Sequence, residues 1–322
     1  MISTQGIIAS FSFFITVFVG HSNAQGFLST PTRPSSFPLS PVSYTTSGKV
    51  QTWVPWPTYN PRPMFGNVSN FVQVAPGIAA LTDTGTLVPW KESEIPPPSG
   101  LSNVLQVVRG SEHGLALKSD GTVVAWGKND TGQCDVPPGL ADVVQVAAGF
   151  NHSVALKKDG TVVSWGSRRV AVPRNIANIV QVSAGYYYTV ALKIDGTVVA
   201  WGSPPAGLGR FPKPTSVPRW LNDVVQVSAG EAHVLALKAD GTVVGWGKNN
   251  YDQSRVPNWV EDVVQVAAGG NESYVLRNDG SFRRFGALTK MTPDNSKFYL
   301  QISHVAYGFF SGDGAAIYQD RR

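Results

Sequence analysis

Cysteine occurs once in 322 residues, at Cys134, so no internal disulfide can form and the fold must be held by core burial and topology. The lone thiol is then either buried or open to pairing between chains. Charge is also scarce, at 15% of residues. The basic residues are spread one or two per segment, so the net charge of +5 lacks the clustered stripe of a nucleic-acid binder. Small concentrations at Arg168, Arg169 and Arg174, and at Arg210, Lys213 and Arg219, read as solvated loop charge. No heptad or amphipathic helical run is present, which excludes a helical bundle. Neither a phosphate-cradling glycine loop nor metal-ligand spacing is found, so no cofactor or metal is expected.

A long apolar run appears once, as IIASFSFFITVFVG at residues 7–20, followed by the small residues SNA before Gln25. This is the pattern of a signal peptide over residues 1–24. The segment before the apolar core lacks Lys and Arg, which leaves an uncleaved anchor as the rival reading, but the run is short for a membrane span. The expectation is a secreted, extracellular protein with no membrane attachment after cleavage. Residues 25–46, rich in Pro, Ser and Thr, read as an extended tether.

What is abundant is repetition, with 33 glycines and 23 prolines as its punctuation. DVVQVAAGFNHSVALKKDGTVVSWG at 142–166 returns as DVVQVSAGEAHVLALKADGTVVGWG at 223–247. The glycine closing each QVAAG-like run falls at Gly77, Gly110, Gly149, Gly185, Gly230, Gly269 and, in a degraded copy, Gly308. A period near 40 residues with three strand-like runs per unit predicts propeller blades or a solenoid. The runs VVQVAAG, HSVALK and TVVSWG are short, rich in Val and bounded by Gly, Asp and Pro. Asp-Gly between the second and third runs predicts a type I′ hairpin turn. A proline eight residues before the repeat glutamine, as at Pro137 and Pro218, suits the crossing to the next unit.

The third run ends on an aromatic in each copy: Trp53, Trp90, Trp126, Trp165, Trp201, Trp246 and Phe285. A position filled alike seven times answers a shared packing need, so these rings are expected to wedge between units, each worth up to about 4 to 6 kcal/mol. The last unit stops before its third run, and SGKVQTWV near the start supplies it. These ends predict an all-β fold: a seven-bladed β-propeller over residues 47–322, closed by the N-terminal strand completing the last blade.

These residues resemble the regulator of chromosome condensation repeat superfamily, whose members are seven-bladed propellers closed in this manner. The short copies, such as the one at 126–166, are most similar to the secreted bacterial branch that includes the type II β-lactamase-inhibitory protein. Fold does not fix function. The founding activity, nucleotide exchange on a nuclear GTPase, conflicts with an export signal. The Trp-Arg pair that the plant ultraviolet-B photoreceptor of this superfamily places after the repeat glycine does not occur in this sequence.

Copying stops at the two positions after each glycine: Ser111 and Glu112, Phe150 and Asn151, Tyr186 and Tyr187, Glu231 and Ala232, Gly270 and Asn271, Phe309 and Phe310. In a ring, equivalent positions form a circle on one face, and the resemblance implies that this circle meets solvent and partners. Phe150, Tyr186, Tyr187 and Phe310 are expected to make an aromatic arc with Glu112 and Glu231 opposite, a composition suited to binding protein. Blade one is three residues short after Gly77, which predicts a notch. Asn67, Asn129, Asn151 and Asn271 begin glycosylation sequons, and sugar on Asn151 or Asn271 would cover part of this face. Trp220 and Trp259 stand where other copies carry Gly139 or Asn175, and are expected to cover a blade edge; residues 203–220, the longest insertion, are a second partner-loop candidate.

His113, His152 and His233 fill one slot in different units, which favours a structural imidazole over a catalytic or metal-binding one. The expected function is therefore a non-enzymatic propeller that recognises a protein partner through Glu112, Phe150, Asn151, Tyr186, Tyr187, Glu231, Phe309 and Phe310. The alternatives are a carbohydrate-binding propeller and, behind it, an enzyme with a site in the propeller mouth.

Overall fold

Short Val-rich runs separated by glycine and aspartate turns cannot bury themselves alone, and the chain resolves this by stacking them. The computed structural model describes residues 49–53, 71–75, 77–89, 93–202, 213–279, 281–287, 301–307 and 314–319; the signal segment, the tether, Phe309 and Phe310 lie outside them. The described strands form seven three-stranded antiparallel sheets. In the sheet made of Val143–Ala148, His152–Lys157 and Val162–Gly166, the middle strand is buried at five of its six positions. Uninterrupted burial, where a half-exposed strand would alternate, means that both faces of this sheet are covered by neighbours.

Six sheets are built from consecutive chain. The seventh joins Gln301–Tyr307 and Gly314–Gln319 to Lys49–Trp53, in a register that opposes Lys49 to Tyr318 and Trp53 to Gly314. The first strands of successive sheets run beside one another, and Phe71–Ala75 also runs beside Gln301–Tyr307.

Neighbouring sheets are joined by the repeat glutamine. Gln145 accepts from the amide of Val182 at 2.9 Å and donates to its carbonyl at 3.0 Å. Gln106 does the same to Val146 at 2.9 and 3.0 Å, and Gln226 to Val266 at 2.9 and 3.2 Å. Gln73 grips both backbone groups of Val107, and Gln181 accepts from Val227. Each side chain thus replaces the next strand of a ladder. A β-bulge immediately before the glutamine, between Val143 and Gln145 and at the same place in five other sheets, re-aims this side chain away from its own sheet. Where the copy reads SAG, Ser183 and Ser228 add further links by accepting from Ala229 and Ala268 at 2.9 and 2.8 Å.

The aromatic at the end of the third strand wedges between sheets as expected at Trp126, Trp165, Trp201, Trp246 and Phe285; Trp90 and the Trp53 side chain lie outside what is described. Trp165 shares a buried cluster with Leu115 and Leu117 of the preceding sheet, Trp246 with Val190 and Leu192, and Phe285 with Leu235 and Leu237. The indole also has a polar role: Nε1 of Trp126, Trp165 and Trp246 donates to the carbonyls of Ile95, Gln133 and Pro214, hooking the linker that leads into its sheet.

The hairpin turn differs from the expected type I′. Asp120, Asp159, Asp195 and Asp240 keep negative φ, while Gly121, Gly160, Gly196 and Gly241 sit at +78° to +82°. The Gly121 amide donates to Lys118 O at 3.0 Å, and Lys118 N donates to Thr122 O at 2.9 Å. This is a three-residue loop, a type I turn followed by a left-handed glycine. The aspartate contributes through its side chain instead, since Asp120 Oδ1 accepts from Thr122 N at 3.0 Å and Thr122 Oγ1 at 2.6 Å. Those bonds hold the carboxyl down to about 2. Left-handed φ falls instead on Asn103, Asp142, Asn178, Asp223 and Asp262, just before the first strands, where only Asn, Asp or Gly sits comfortably.

Replacing Gln145 by Leu leaves Val182 N–H and C=O buried without their partners, each worth about 1 to 3 kcal/mol. Urea unfolding of Gln145→Leu is expected to show a loss of about 2 to 4 kcal/mol, and a loss below 0.5 kcal/mol would dismiss the clamp.

Candidate functional site

The variable pairs are carried on tight loops that begin at the repeat glycine. Gly149 N donates to His152 O at 2.9 Å, and the same bond recurs from Gly110, Gly185, Gly230 and Gly269. A Cβ on Gly149 would come within 2.1 Å of the His152 ring and 2.5 Å of Gly185 O. The glycine is therefore required by a close approach to its own loop and to the neighbouring sheet.

Loops of adjacent sheets are strung together by backbone bonds. Ser111 N donates to Gly149 O at 3.2 Å, Phe150 N to Tyr186 O at 3.2 Å, Tyr186 N to Glu231 O at 3.2 Å and Glu231 N to Gly269 O at 2.9 Å. Equivalent positions thus follow one another around one face. None of these bonds involves a side chain, so side-chain identity is left open there.

Three of the expected site residues come together. Phe150 and Tyr186 stack with centroids 4.2 Å apart and planes 17° apart. Tyr187 meets both edge-on, at 5.4 Å and 64° from Phe150 and at 4.6 Å and 78° from Tyr186. All three are half-buried. Partial burial and the nearby Tyr187 and Glu231 raise the Tyr186 phenol. Glu231 accordingly stands next to the aromatic group, correcting the expectation that it lies opposite. Glu112 is not part of this group: Lys128 holds its carboxylate at 2.7 Å.

Asn151 contributes its carbonyl to Ser167 N and Thr131 Oγ1 at 3.0 Å, and its Oδ1 is buried. Asn271 Oδ1 accepts from Gln253 Nε2 at 3.3 Å. The Asn129 amide spans its own loop, accepting from Cys134 N at 2.8 Å and donating to Asp135 at 2.7 Å. The Asn129 and Asn271 side chains are thus engaged, whereas Asn151 Oδ1 is buried without a partner, and Asn67 lies outside the described residues. Cys134 is half-buried, and burial pushes its thiol up.

The expected notch at blade one is filled. Ile78 N donates to Ala75 O at 3.0 Å, with Gly77 at φ +72°. The guanidinium of Arg109 lies over Gly77, where an added Cβ would meet it. Trp259 leans edge-on against Phe285 at 6.3 Å and 79°, covering a sheet edge, whereas Trp220 is 67% exposed. Residues 203–212 of the long insertion lie outside the described residues.

The histidines are structural posts. His113, His152 and His233 have no exposure, and Nε2 of each reaches a hydroxyl on the next sheet: Ser153 at 3.0 Å, Thr189 at 3.2 Å and Ser273 at 2.9 Å. Ser153 and Ser273 spend their hydrogens on Gln133 O and Gln253 O. The imidazoles of His113 and His233 must therefore donate from Nε2, which fixes their tautomer. Nδ1 is left buried without a partner in all three rings. Burial lowers the pKa to about 4 for His113 and about 3 for His152 and His233. Tyr188 fills this slot in the next unit by donating to Gly230 O and His233 O, and Glu272 fills it later, accepting from Tyr274.

With this geometry in view, the repeats have known counterparts. Residues 104–133, 143–167, 179–207 and 224–253 match the Regulator of chromosome condensation (RCC1) repeat. Those four segments are similar to RCC1 repeats. Among solved structures it is similar to Prp20p from Saccharomyces cerevisiae, at 18% identity and TM-score 0.65 over 87% of this chain and 93% of that one. It is also similar to the CRINKLY WD40 ectodomain of the Arabidopsis thaliana receptor kinase ACR4, at 20% identity and TM-score 0.56 over 70% and 82%. No curated protein matches the sequence. At these identities the likeness is one of fold, here an all-β array of three-stranded sheets.

Because the folded histidines resist protonation, the unfolded chain binds the extra protons. Their contribution to stability is complete above the unfolded value of 6.5 and is lost as pH falls towards about 4 and 3. Denaturant titrations between pH 6 and pH 4.5 are expected to show stability falling by about 1.4 kcal/mol per pH unit for each histidine. His152→Gln is expected to remove about a third of that slope; an unchanged slope would refute the assignment.

Proposed function

We propose that this chain is a secreted, non-enzymatic, protein-binding RCC1-repeat propeller of the short-repeat branch, with seven blades closed into a ring by its N-terminal strand. Closure is supported by the pairing of Lys49–Trp53 with Gly314–Gln319 and by the nearness of Phe71–Ala75 to Gln301–Tyr307. Export rests on residues 1–24; the occurrence of the same fold in a receptor-kinase ectodomain is compatible with it. Prp20p has binding properties to Gsp1p and histones, and a protein is the class of partner proposed here also.

The observation that carries the binding reading is the contact of Phe150, Tyr186 and Tyr187. Large rigid rings already ordered by one another lose little freedom on binding, and partly buried aromatics with a polar surround make the hot spots of protein interfaces. Among the described residues the cluster occupies two adjacent sheets. A lectin built on the repeat would place such a group in several sheets, so this localised cluster favours one protein contact over carbohydrate.

Pull-down from extracellular material with the full chain is expected to recover a protein that the Phe150→Ala, Tyr186→Ala, Tyr187→Ala triple variant does not. Equal recovery by a folded triple variant would remove the reading. Closure has its own test: Gln51→Cys with Ala316→Cys, opposed in register, in a Cys134→Ser background, is expected to give an intramolecular disulfide in the folded monomer. Absence of that disulfide under oxidising conditions would open the ring.

A further inference from the structure

Resting on the protein-binding reading, we propose that the Phe150, Tyr186, Tyr187 and Glu231 group accepts a cationic side chain of the partner, an arginine or lysine presented by an exposed segment. Phe150, Tyr186 and Glu231 are consecutive on the backbone circuit, Phe150 N to Tyr186 O and Tyr186 N to Glu231 O, and Tyr187 meets both rings edge-on, so Glu231 stands in the loop beside the stacked pair. The stack and the edge-on Tyr187 form an aromatic surface with negative faces, which attracts a cation placed above it. A guanidinium suits this surface best, because it stacks on an aromatic ring and offers a fork of donors to a neighbouring carboxylate.

The two acids of this face differ in what they have left to offer. Glu112 is neutralised by Lys128 at 2.7 Å. The Glu231 carboxylate meets no cation among the described residues and is close enough to Tyr186 to raise its phenol. A cation from a partner would complete the pair and lie over the ring at once. The chain as a whole carries +5, so this local acid-aromatic site is set against the sign of the molecule, and it would select a cationic residue by local contact.

The test uses the full chain with labelled Phe and Tyr rings, titrated with the pentapeptides Gly-Gly-Arg-Gly-Gly and Gly-Gly-Lys-Gly-Gly. The neutral control has citrulline in place of arginine. The expected result is saturable shifts at Phe150, Tyr186 and Tyr187 with the arginine peptide, at least about fivefold weaker binding of the citrulline peptide, and a similar loss in Glu231→Gln. Raising the salt from 50 to 500 mM, an ordinary range for such a titration, is expected to weaken the arginine peptide only. Equal binding of arginine and citrulline peptides, insensitivity to Glu231→Gln, or shifts produced only by an added oligosaccharide would each overturn the proposal. If the triple variant loses its protein partner while the peptides are not distinguished, the cation preference falls and the protein-binding reading stands. If the triple variant keeps its partner, the reading beneath it falls as well.

Discussion

The clamp made by the repeat glutamine is the constraint on which the rest of the molecule depends. A stack of three-stranded sheets has an unavoidable problem where first strands meet: their outward N–H and C=O groups face the neighbouring sheet at an angle that a ladder cannot bridge, and water is excluded. Burial of such groups without partners costs about 1 to 3 kcal/mol each. A primary amide carries one donor and one acceptor on a single plane, the complement of one peptide group. Gln145 seated on Val182 answers both groups at once. No other common side chain of that length does so, which is the physical reason for glutamine in each intact copy.

Once sheets are clamped at that distance, other residue choices follow. The glycine four residues on must lack a side chain, because the imidazole of its own loop and a carbonyl of the next sheet occupy the space. The histidine can then extend to the neighbouring hydroxyl, and its desolvation keeps it neutral. The indole at the end of the third strand fills the wider part of the wedge and ties down the linker. Each of these residues serves the junction between sheets, so each recurs where the junction recurs.

Much of this was legible in the sequence, for a definite reason. Period, strand length and the complementary chain ends follow from local patterns, and the Trp165 and Trp246 wedges follow from repetition. The glutamine was equally repetitive, yet its role was not read, because repetition shows that a residue matters without showing what it touches at a separation of 37 positions along the chain. The turn was misread for a related reason: Asp-Gly is compatible with two hairpin geometries, and the choice is made by the threonine that follows, whose amide and hydroxyl both bond the aspartate and hold it at negative φ. The filled notch at Gly77 depended on Arg109, which stands where the next four copies have alanine, and only coordinates show which way a long side chain extends. The position of Glu231 was misjudged because neighbours on a ring were treated as opposites.

The circuit that joins the loops explains why one face is free to carry function. From Ser111 to Gly269 the links between loops are made by main-chain atoms, so any side chain, from Ser111 to Phe150 to Glu231, satisfies the fold equally well. Elsewhere in the unit the junction dictates identity, through an amide, an imidazole or an indole with a fixed partner. A protein built this way separates the positions that hold it together from the positions that distinguish it, and it does so within three residues of chain: Gly149 is required by contact, His152 by its hydroxyl partner, and the pair between them by neither. That the open positions of two adjacent units are Phe150, Tyr186 and Tyr187, three aromatics in mutual contact, is therefore not dictated by the backbone circuit. Tyr187 also packs against the buried cluster of its junction; Phe150 and Tyr186 stack on each other, and their identity is the part of this face that the proposed protein contact would account for.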